Sequence, residues 1–513
     1  MATWNDGYVT ETAYTSGFYR EISPGWLAMA ALLLGHRPPD LSRPFRWAEL
    51  GSGHGFSASV FASAFPQAEF WGFDFNPAHV ESARLTASRA GLSNVHFEEA
   101  SFAELAARGD AALPEFDFVV GHGIYSWVSR ENQRHILDFF RRRLRPGGLG
   151  YLGYNALPGW ASMLPVRALM HRWWEAHPGR PEQSVPAMLA FLQRLKESGA
   201  AFMAANPMVD TRLAALANLD PRYIVHEYLN KDWSPLMSAD VADDLAEAKC
   251  AFIGSATLTD NLDAAAVPPV MQPLLADIRE TRLRETLKDL GSAQSFRRDI
   301  FRRGLDPLGG PEHRGMLDEL ELVGVGRAPE GEVNFSTAIG QVTGKREIYA
   351  PLLERLADGR LSLREARGME ALADKPMKEA AQAFALLASG GYAHPAAAAA
   401  SPAFAQALNV EIARRMDAGQ PLTWLVAPGI GTAMPADVID IALAGEVLAG
   451  RLGSAETLIE RAMAMLAATG RAVLRDGQAV TDPAQARVVV GEVTAAFLEK
   501  RLPLYRRLGA LPG

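Results

Sequence analysis

Residues 47–57 read WAELGSGHGFS: an apolar run holding Glu49, then glycines at 51, 53 and 55, then Phe56 opening a helical pattern. Glycines at such a junction let the backbone turn tightly and approach a ligand without a side-chain clash. In the dinucleotide fingerprint the third glycine lies three positions after the second. Here that position is Phe56, and the spacing is Glu-x-Gly-x-Gly-x-Gly. A strand-to-helix ligand site is therefore expected, for something other than a dinucleotide.

Outward from this stretch, five apolar runs (FRWAEL, EFWGFDF, NVHFEEA, FDFVV, GLGYLGY) alternate with helical patterns between Phe45 and Tyr154. That alternation predicts an α/β fold with a parallel, doubly wound sheet. Ligands in such sheets bind at the carboxyl ends of the strands, so the loops after Leu50, Phe73, Phe97, Val120 and Tyr154 are expected to converge. The expected organisation is an N-terminal arm or lid (1–40), a core (41–160) and a helical insertion with two late strands (161–305). A middle region (306–400) reads as short helices followed by a hairpin, like a winged helix, and 401–513 as mainly α. The late strands are CAFIGSATL and SFRRDIFRRG; the alternation in the second suits an edge strand with its charges outward. RRRLRPGG (141–148) reads as a solvated helix end whose cations suit the helix dipole.

Composition narrows the function classes. With 51 basic and 59 acidic residues the formal charge is -8, which argues against a nonspecific nucleic-acid binder. One cysteine, Cys250, excludes an internal disulfide framework and a multi-cysteine zinc site. The first residues lack the basic segment and apolar core of a secretory signal, and no uninterrupted apolar stretch approaches the ~18 residues of a membrane span. A cytoplasmic protein without membrane insertion is expected.

Asp74 closes the second strand, 23 residues after Gly51. Glu49, the three glycines and Asp74, in that order within a five-strand pattern, resemble the Rossmann-like (class I) S-adenosylmethionine methyltransferases. The resemblance implies S-adenosyl-L-methionine as cofactor and S-adenosyl-L-homocysteine as product. It places Gly51, Ser52, Gly53, Gly55 and Phe56 around the amino acid part of the cofactor, and Asp74 on its ribose with Phe75 and Asn76 alongside. Ser101 and Phe102 fall at the adenine, where Glu98 or Glu99 can also serve. Gly121 and His122 follow the fourth strand. Tyr14, Phe18 and Tyr19 of the arm either fold across the cofactor or pack as an arm.

Further stretches narrow the match. AYTSGFYREISP (13–24), GHGIYSWV (121–128), YNALPGW (154–160), YIVHEYLNKDWSPLM (223–237), FIGSATL and FRRDIFRRG resemble bacterial methyltransferases carrying a regulatory domain. That group includes the rickettsial protein lysine methyltransferases. The resemblance implies a seven-stranded sheet, an enzyme that is often a homodimer, and methyl transfer to an acceptor amine, with a protein or peptide lysine as substrate. A small-molecule methyltransferase and a non-catalytic cofactor-binding regulator remain as alternatives.

Methyl transfer from a sulfonium is an in-line displacement in which positioning dominates. A lysine acceptor, with an ordinary pKa of about 10.4, must lose its proton before attack. His122, Tyr125, Tyr154 and Asn155 are the catalytic candidates: His122 as a proton acceptor, Asn155 to orient an amine. Trp127 and Trp160, with the two tyrosines, can sheathe an alkylammonium by cation–π contact. Against this stands plain packing, since strand-end aromatics and a lone histidine in a glycine turn are often structural. The loop departs from the Asn/Asp-Pro-Pro-Tyr motif of amino-methylating DNA and glutamine enzymes at its first three positions. It offers no acids for a metal, and none is expected.

Overall fold

A computed structural model describes residues 17–177, 179–326, 329, 331–398, 401–420, 422–475 and 477–513. Seven strands form one sheet: β1 (Arg46–Leu50), β2 (Glu69–Asp74), β3 (Val95–Glu99), β4 (Phe116–His122), β5 (Leu144–Asn155), β6 (Cys250–Ser255) and β7 (Phe296–Arg303). Their order across the sheet is β3-β2-β1-β4-β5-β7-β6. β1 to β5 run parallel, and β7 is antiparallel to both of its neighbours. The order reverses between β1 and β4, the switch point at which such sheets hold their ligands. Helices α1 (Pro24–Leu33), α2 (Phe56–Ala64), α3 (Pro77–Arg89), α4 (Phe102–Ala107) and α5 (Arg130–Arg143) precede or connect these strands.

The central strands are buried because both sheet faces are covered, while the edge strand β3 buries only Phe97. On one face Phe118, Val120, Tyr151 and Ile300 join an apolar cluster that includes Trp26, Phe61, Leu352 and Ile441, so the sheet shares a core with the last third of the chain. On the other, Val119, Leu152, Tyr154 and Phe301 pack with Tyr125, Phe139 and Leu245. The helical insertion has its own core, built on Met163, Met170, Met188 and Val225.

Three expectations are corrected. β7 is interior, between β5 and β6, so its charged residues cannot all face water. Arg297 and Asp299 are buried and satisfied by one another and by Asp289 and Glu285. The basic end of α5 is not simply solvated: Arg143 donates to the carbonyls of Leu113 and Gly109, and Arg142 to those of Ala106 and Arg108, tying down the chain after α4. In the middle region the hairpin (Val333–Thr337 with Gly340–Gly344) precedes the helix Arg346–Ala357 rather than following the helices. Ala393–Pro395, where the hairpin was expected, pairs instead with Glu321–Gly324, with His394 buried 5.5 Å from the Trp26 ring. Among the described residues the C-terminal region carries four long helices and two further hairpins, Trp424–Ala427 with Thr432–Pro435 and Leu474–Arg475 with Gln478–Ala479.

Candidate active site

The turn after β1 is built from backbone that only glycine adopts readily. Gly51, Gly53 and Gly55 have φ of +71°, +54° and +68°, the left-handed region. Two of the three also have no room. A Cβ on Gly51 would lie 2.6 Å from Ile124, and one on Gly55 2.4 Å from the Phe97 ring. At Gly53 no atom lies within 4 Å of that position. The first and third glycines are thus required by packing, while the second faces open space.

β2 holds this turn in place. The Gly51 and Ser52 N–H groups donate to the Phe73 carbonyl at 2.8 and 3.0 Å, and the Gly53 N–H donates to Asp74 Oδ2 at 2.8 Å. Asp74 Oδ1 accepts from the Asn76 N–H at 2.9 Å and lies 3.2 Å from His79 Nδ1. Asn76 caps α3 through its side chain, with Pro77 opening the helix; Phe75 is half-buried between the two. Glu49 is 6% exposed, and its Oε2 has no hydrogen-bond partner among the described residues. Burial, with the charge of Asp74 added, pushes its carboxyl well above the usual range. An orphaned carboxyl oxygen and an open glycine beside a carboxylate on β2 form a cradle suited to a ligand with an amino group and hydroxyls.

Around the cradle, Phe18 is buried against Phe56, Phe61 and Trp424, with ring centroids 5.8, 5.9 and 5.0 Å away. Tyr14 lies outside the described residues. Ser101 caps α4, its hydroxyl hydrogen-bonded to the Glu104 carboxylate at 2.8 Å and accepting from the Glu104 N–H. Phe102 is half-buried against the cluster that contains Phe73 and Leu105. Glu98 is paired with Arg108, and Glu99 stands opposite Asp74 in the sheet register. His54, inside the glycine turn, lies 4.5 Å from the His79 ring and is pulled down to about 4, first by burial and then by His79. The C-terminal region reaches this corner through Arg415, which donates to Ser82 on α3.

The four catalytic candidates do not form one group. His122 ends β4 on the face shared by Tyr151 and Gly153. Its Nδ1 is hydrogen-bonded to the Tyr151 hydroxyl at 2.7 Å, the Tyr19 ring stacks on it at 3.6 Å and 26°, and the Phe296 ring lies 5.3 Å away. A Cβ on Gly153 would sit 2.9 Å from His122 Nδ1 and 3.1 Å from both Phe296 and the Tyr151 hydroxyl, so this cluster depends on a glycine. Burial, then the positive charge of Arg298, pulls His122 down to about 3. Asn155, on the same strand face, is buried with Nδ2 unpartnered among the described residues; its backbone N–H donates to Ser126 Oγ. Gly121 precedes His122 with Ile124 and Leu152 about its Cα.

Tyr125 and Tyr154 point into the opposite layer. The Tyr125 hydroxyl donates to Asp244 at 2.8 Å, and that of Tyr154 to Asp299 at 2.5 Å. Both are pushed up by burial first and by those carboxylates next. Trp127 and Trp160 do meet, through Trp233, at 5.9 and 5.2 Å. Their group already holds cations: Arg212 lies 4.0 Å over Trp160, and Arg167 lies 5.0 Å over Trp233. Sequence reasoning missed Tyr151, Gly153, Phe296 and Arg298. The only signal was strand alternation, which puts 151, 153 and 155 on one face. Among the described residues no group of three or more His, Cys, Asp or Glu is placed to hold a metal, and no helix is long and apolar enough to cross a membrane.

Comparison with known proteins accords with this geometry. Residues 48–148 match a family model described as a methyltransferase domain, and 220–303 match a predicted methyltransferase regulatory domain. The chain is 33% identical to the uncharacterised protein sll1526 of Synechocystis over 99% of both chains. It is also 28% identical over 223 residues to the uncharacterised RP028 of Rickettsia prowazekii, covering 43% of this chain and 86% of that one. The structure of PKMT2 from Rickettsia typhi in complex with AdoHcy superposes with a TM-score of 0.70 at 18% identity, covering 98% of this chain and all of that one, which shows a shared fold. The chain belongs to the class I, S-adenosylmethionine-dependent methyltransferases that carry this regulatory domain.

Proposed function

We propose that the enzyme transfers the methyl group of S-adenosylmethionine to an amine of a protein or peptide, a lysine side chain. Bound S-adenosylmethionine supplies an electrophilic methyl on a sulfonium. The chain's own residues bind, dry and aim. Glu49 takes the ammonium of the cofactor's amino acid part, Gly53 lets that part lie against the backbone, and Asp74 accepts from the ribose hydroxyls. Phe102 packs at the adenine end, and Ser101 supports it there by capping α4, its hydroxyl and backbone N–H both bonded to the Glu104 carboxylate.

The observation that carries the amine reading is the neutral His122 under the Tyr19 ring. A neutral imidazole adds no positive charge to that of Arg298 nearby and keeps a lone pair on its ring. One ring nitrogen is engaged by Tyr151, which leaves the other for the acceptor. Tyr19, 37% exposed, offers an aromatic edge at the entrance, and Asn155 lies on the same strand face to orient an amine. Tyr125 and Tyr154 act as supports, fixing the loop and β5 from behind. The resemblance to rickettsial protein lysine methyltransferases, and the likeness to PKMT2 along the whole chain, support a macromolecular acceptor. The test is incubation with labelled cofactor and lysine-rich peptides or a proteome extract, followed by peptide mass spectrometry. Methyl groups on lysine are expected; transfer to small metabolites alone would overturn the reading.

A further inference from the structure

Among the described residues Arg298 makes no ion pair, although, against the raising effect of burial, its charge lowers the carboxyl of Asp260. Arg298 stands in register opposite Gly153, which stands opposite His122. Its guanidinium lies 5.2 Å over the Phe296 ring, and that ring is 5.3 Å from His122. Its only hydrogen bond among the described residues is a long one, 3.3 Å from Nη1 to Thr257 Oγ1, and Nε is buried without a partner. Among the described residues no carboxylate comes within ion-pairing distance of it. The preceding residue shows what this strand does with a structural arginine: Arg297 is held by Asp289, Asp299 and Glu285 at 2.6, 2.9 and 2.9 Å.

A half-buried guanidinium costs stability unless an anion meets it, and a planar fork of donors matches a carboxylate in particular. The cation also disfavours a proton on His122 and favours the charged form of Asp260, so it stands between the reacting corner and the loop after β6. We propose that Arg298 is the receptor for a carboxylate carried by one of the two ligands that meet at His122. The source is the α-carboxylate of the cofactor's amino acid part or an acidic group beside the acceptor amine. This inference rests on the methyl-transfer reading above.

The test uses Arg298→Met and Arg298→Lys in the full-length protein, with binding rather than turnover as the readout. Calorimetry compares S-adenosylhomocysteine with 5′-methylthioadenosine, which lacks the amino acid part. Fluorescence anisotropy, on protein saturated with S-adenosylhomocysteine, compares a lysine peptide flanked by Glu with the same peptide flanked by Gln. Loss of a charge-assisted contact predicts at least about tenfold weaker binding of one carboxylate-bearing ligand to Arg298→Met, with its carboxylate-free counterpart unchanged and partial recovery in Arg298→Lys. A selective loss for S-adenosylhomocysteine assigns the carboxylate to the cofactor; a selective loss for the Glu-flanked peptide assigns it to the acceptor. If the unsubstituted protein binds neither peptide, the acceptor source is excluded and calorimetry decides. Equal affinities for all ligands, or equal losses with and without the carboxylate, overturn the proposal. Absence of S-adenosylhomocysteine binding to the unsubstituted protein overturns the methyl-transfer reading itself, and this inference with it.

Discussion

Glu49→Gln is predicted to change stability and cofactor binding in opposite directions. The Glu49 carboxyl is buried, has one orphaned oxygen among the described residues, and is pushed up by burial and then by Asp74. Its folded-state pKa therefore exceeds its unfolded one. Such a group contributes stability that is present below the unfolded value and is lost as pH rises through the folded value. Glutamine has nearly the same shape and no proton to lose. Without cofactor, on the alkaline side, the variant is expected to be more stable than the parent by about 1–3 kcal/mol, the cost of an unpaired buried polar group. With cofactor the sign reverses. The carboxylate gains an ammonium, and a charge-assisted hydrogen bond is worth about 1.5–3 kcal/mol, so the variant should bind S-adenosylhomocysteine about 10- to 150-fold more weakly. Denaturant unfolding across a pH series, paired with calorimetry, reads both effects. Unchanged affinity, or a variant less stable than the parent in mildly alkaline solution, would refute the assignment of Glu49 to the cofactor's ammonium.

Other substitutions separate packing from binding. Gly55→Ala forces a Cβ to 2.4 Å from the Phe97 ring and should cost more than ~2 kcal/mol in denaturant unfolding. Gly53→Ala meets open space and should cost only about 1 kcal/mol of backbone strain, with its main effect a weaker calorimetric Kd for the cofactor. His122 and His394 are both pulled down to about 3 by burial; their stability contribution is full above the unfolded value of about 6.5 and falls at lower pH by up to ~1.4 kcal/mol per unit each. His394→Asn should flatten that acid limb in a pH series of unfolding midpoints. Arg212→Ala removes the cation over Trp160 and a 2.8 Å bond to the Gly159 carbonyl; a loss of about 1–2 kcal/mol is expected by the same measurement.

The sequence was most legible where local chemistry and tertiary role agree. The glycine turn, Asp74 and the alternation from 45 to 154 each carry a backbone requirement that survives without knowledge of neighbours, and each is found in the sheet at its expected place. It was least legible where burial is set by a distant segment. FRRDIFRRG alternates like an edge strand, yet β6 covers it because residues about 50 positions earlier return to the sheet; nothing local signals that Arg297 has three carboxylates waiting. The catalytic candidates show the same limit. Tyr125 stands in the loop after β4 and Tyr154 in β5, but a strand's period of two decides which layer a strand side chain enters. That parity separates Tyr154 from Tyr151, and Tyr151 is the tyrosine that bonds His122.

The regulatory segment is part of the catalytic sheet, and this constrains how it can act. Residues 220–303 supply β6 and β7, and β7 pairs with β5 from Leu149↔Arg302 through Asn155↔Phe296. Across this junction runs a buried chain of contacts: Ser238 to Asp289, Asp289 to Arg297, Arg297 to Asp299 and Asp299 to the Tyr154 hydroxyl. Asp299 is raised to about 7 by burial, against the lowering effect of Arg297. Removing one member would leave others buried and unpaired, which costs more than the pair is worth. The segment therefore cannot slide along β5 as a lid would. Any influence on the reaction has to pass through the opposite face of β7, where Phe296 and Arg298 meet His122, or through the helices of the insertion that pack outside the sheet on their own core. β7 of this segment is thereby fixed in the sheet with Phe296 beside His122, while the insertion core, built mostly from residues 163–216 that precede the segment, packs apart from that strand.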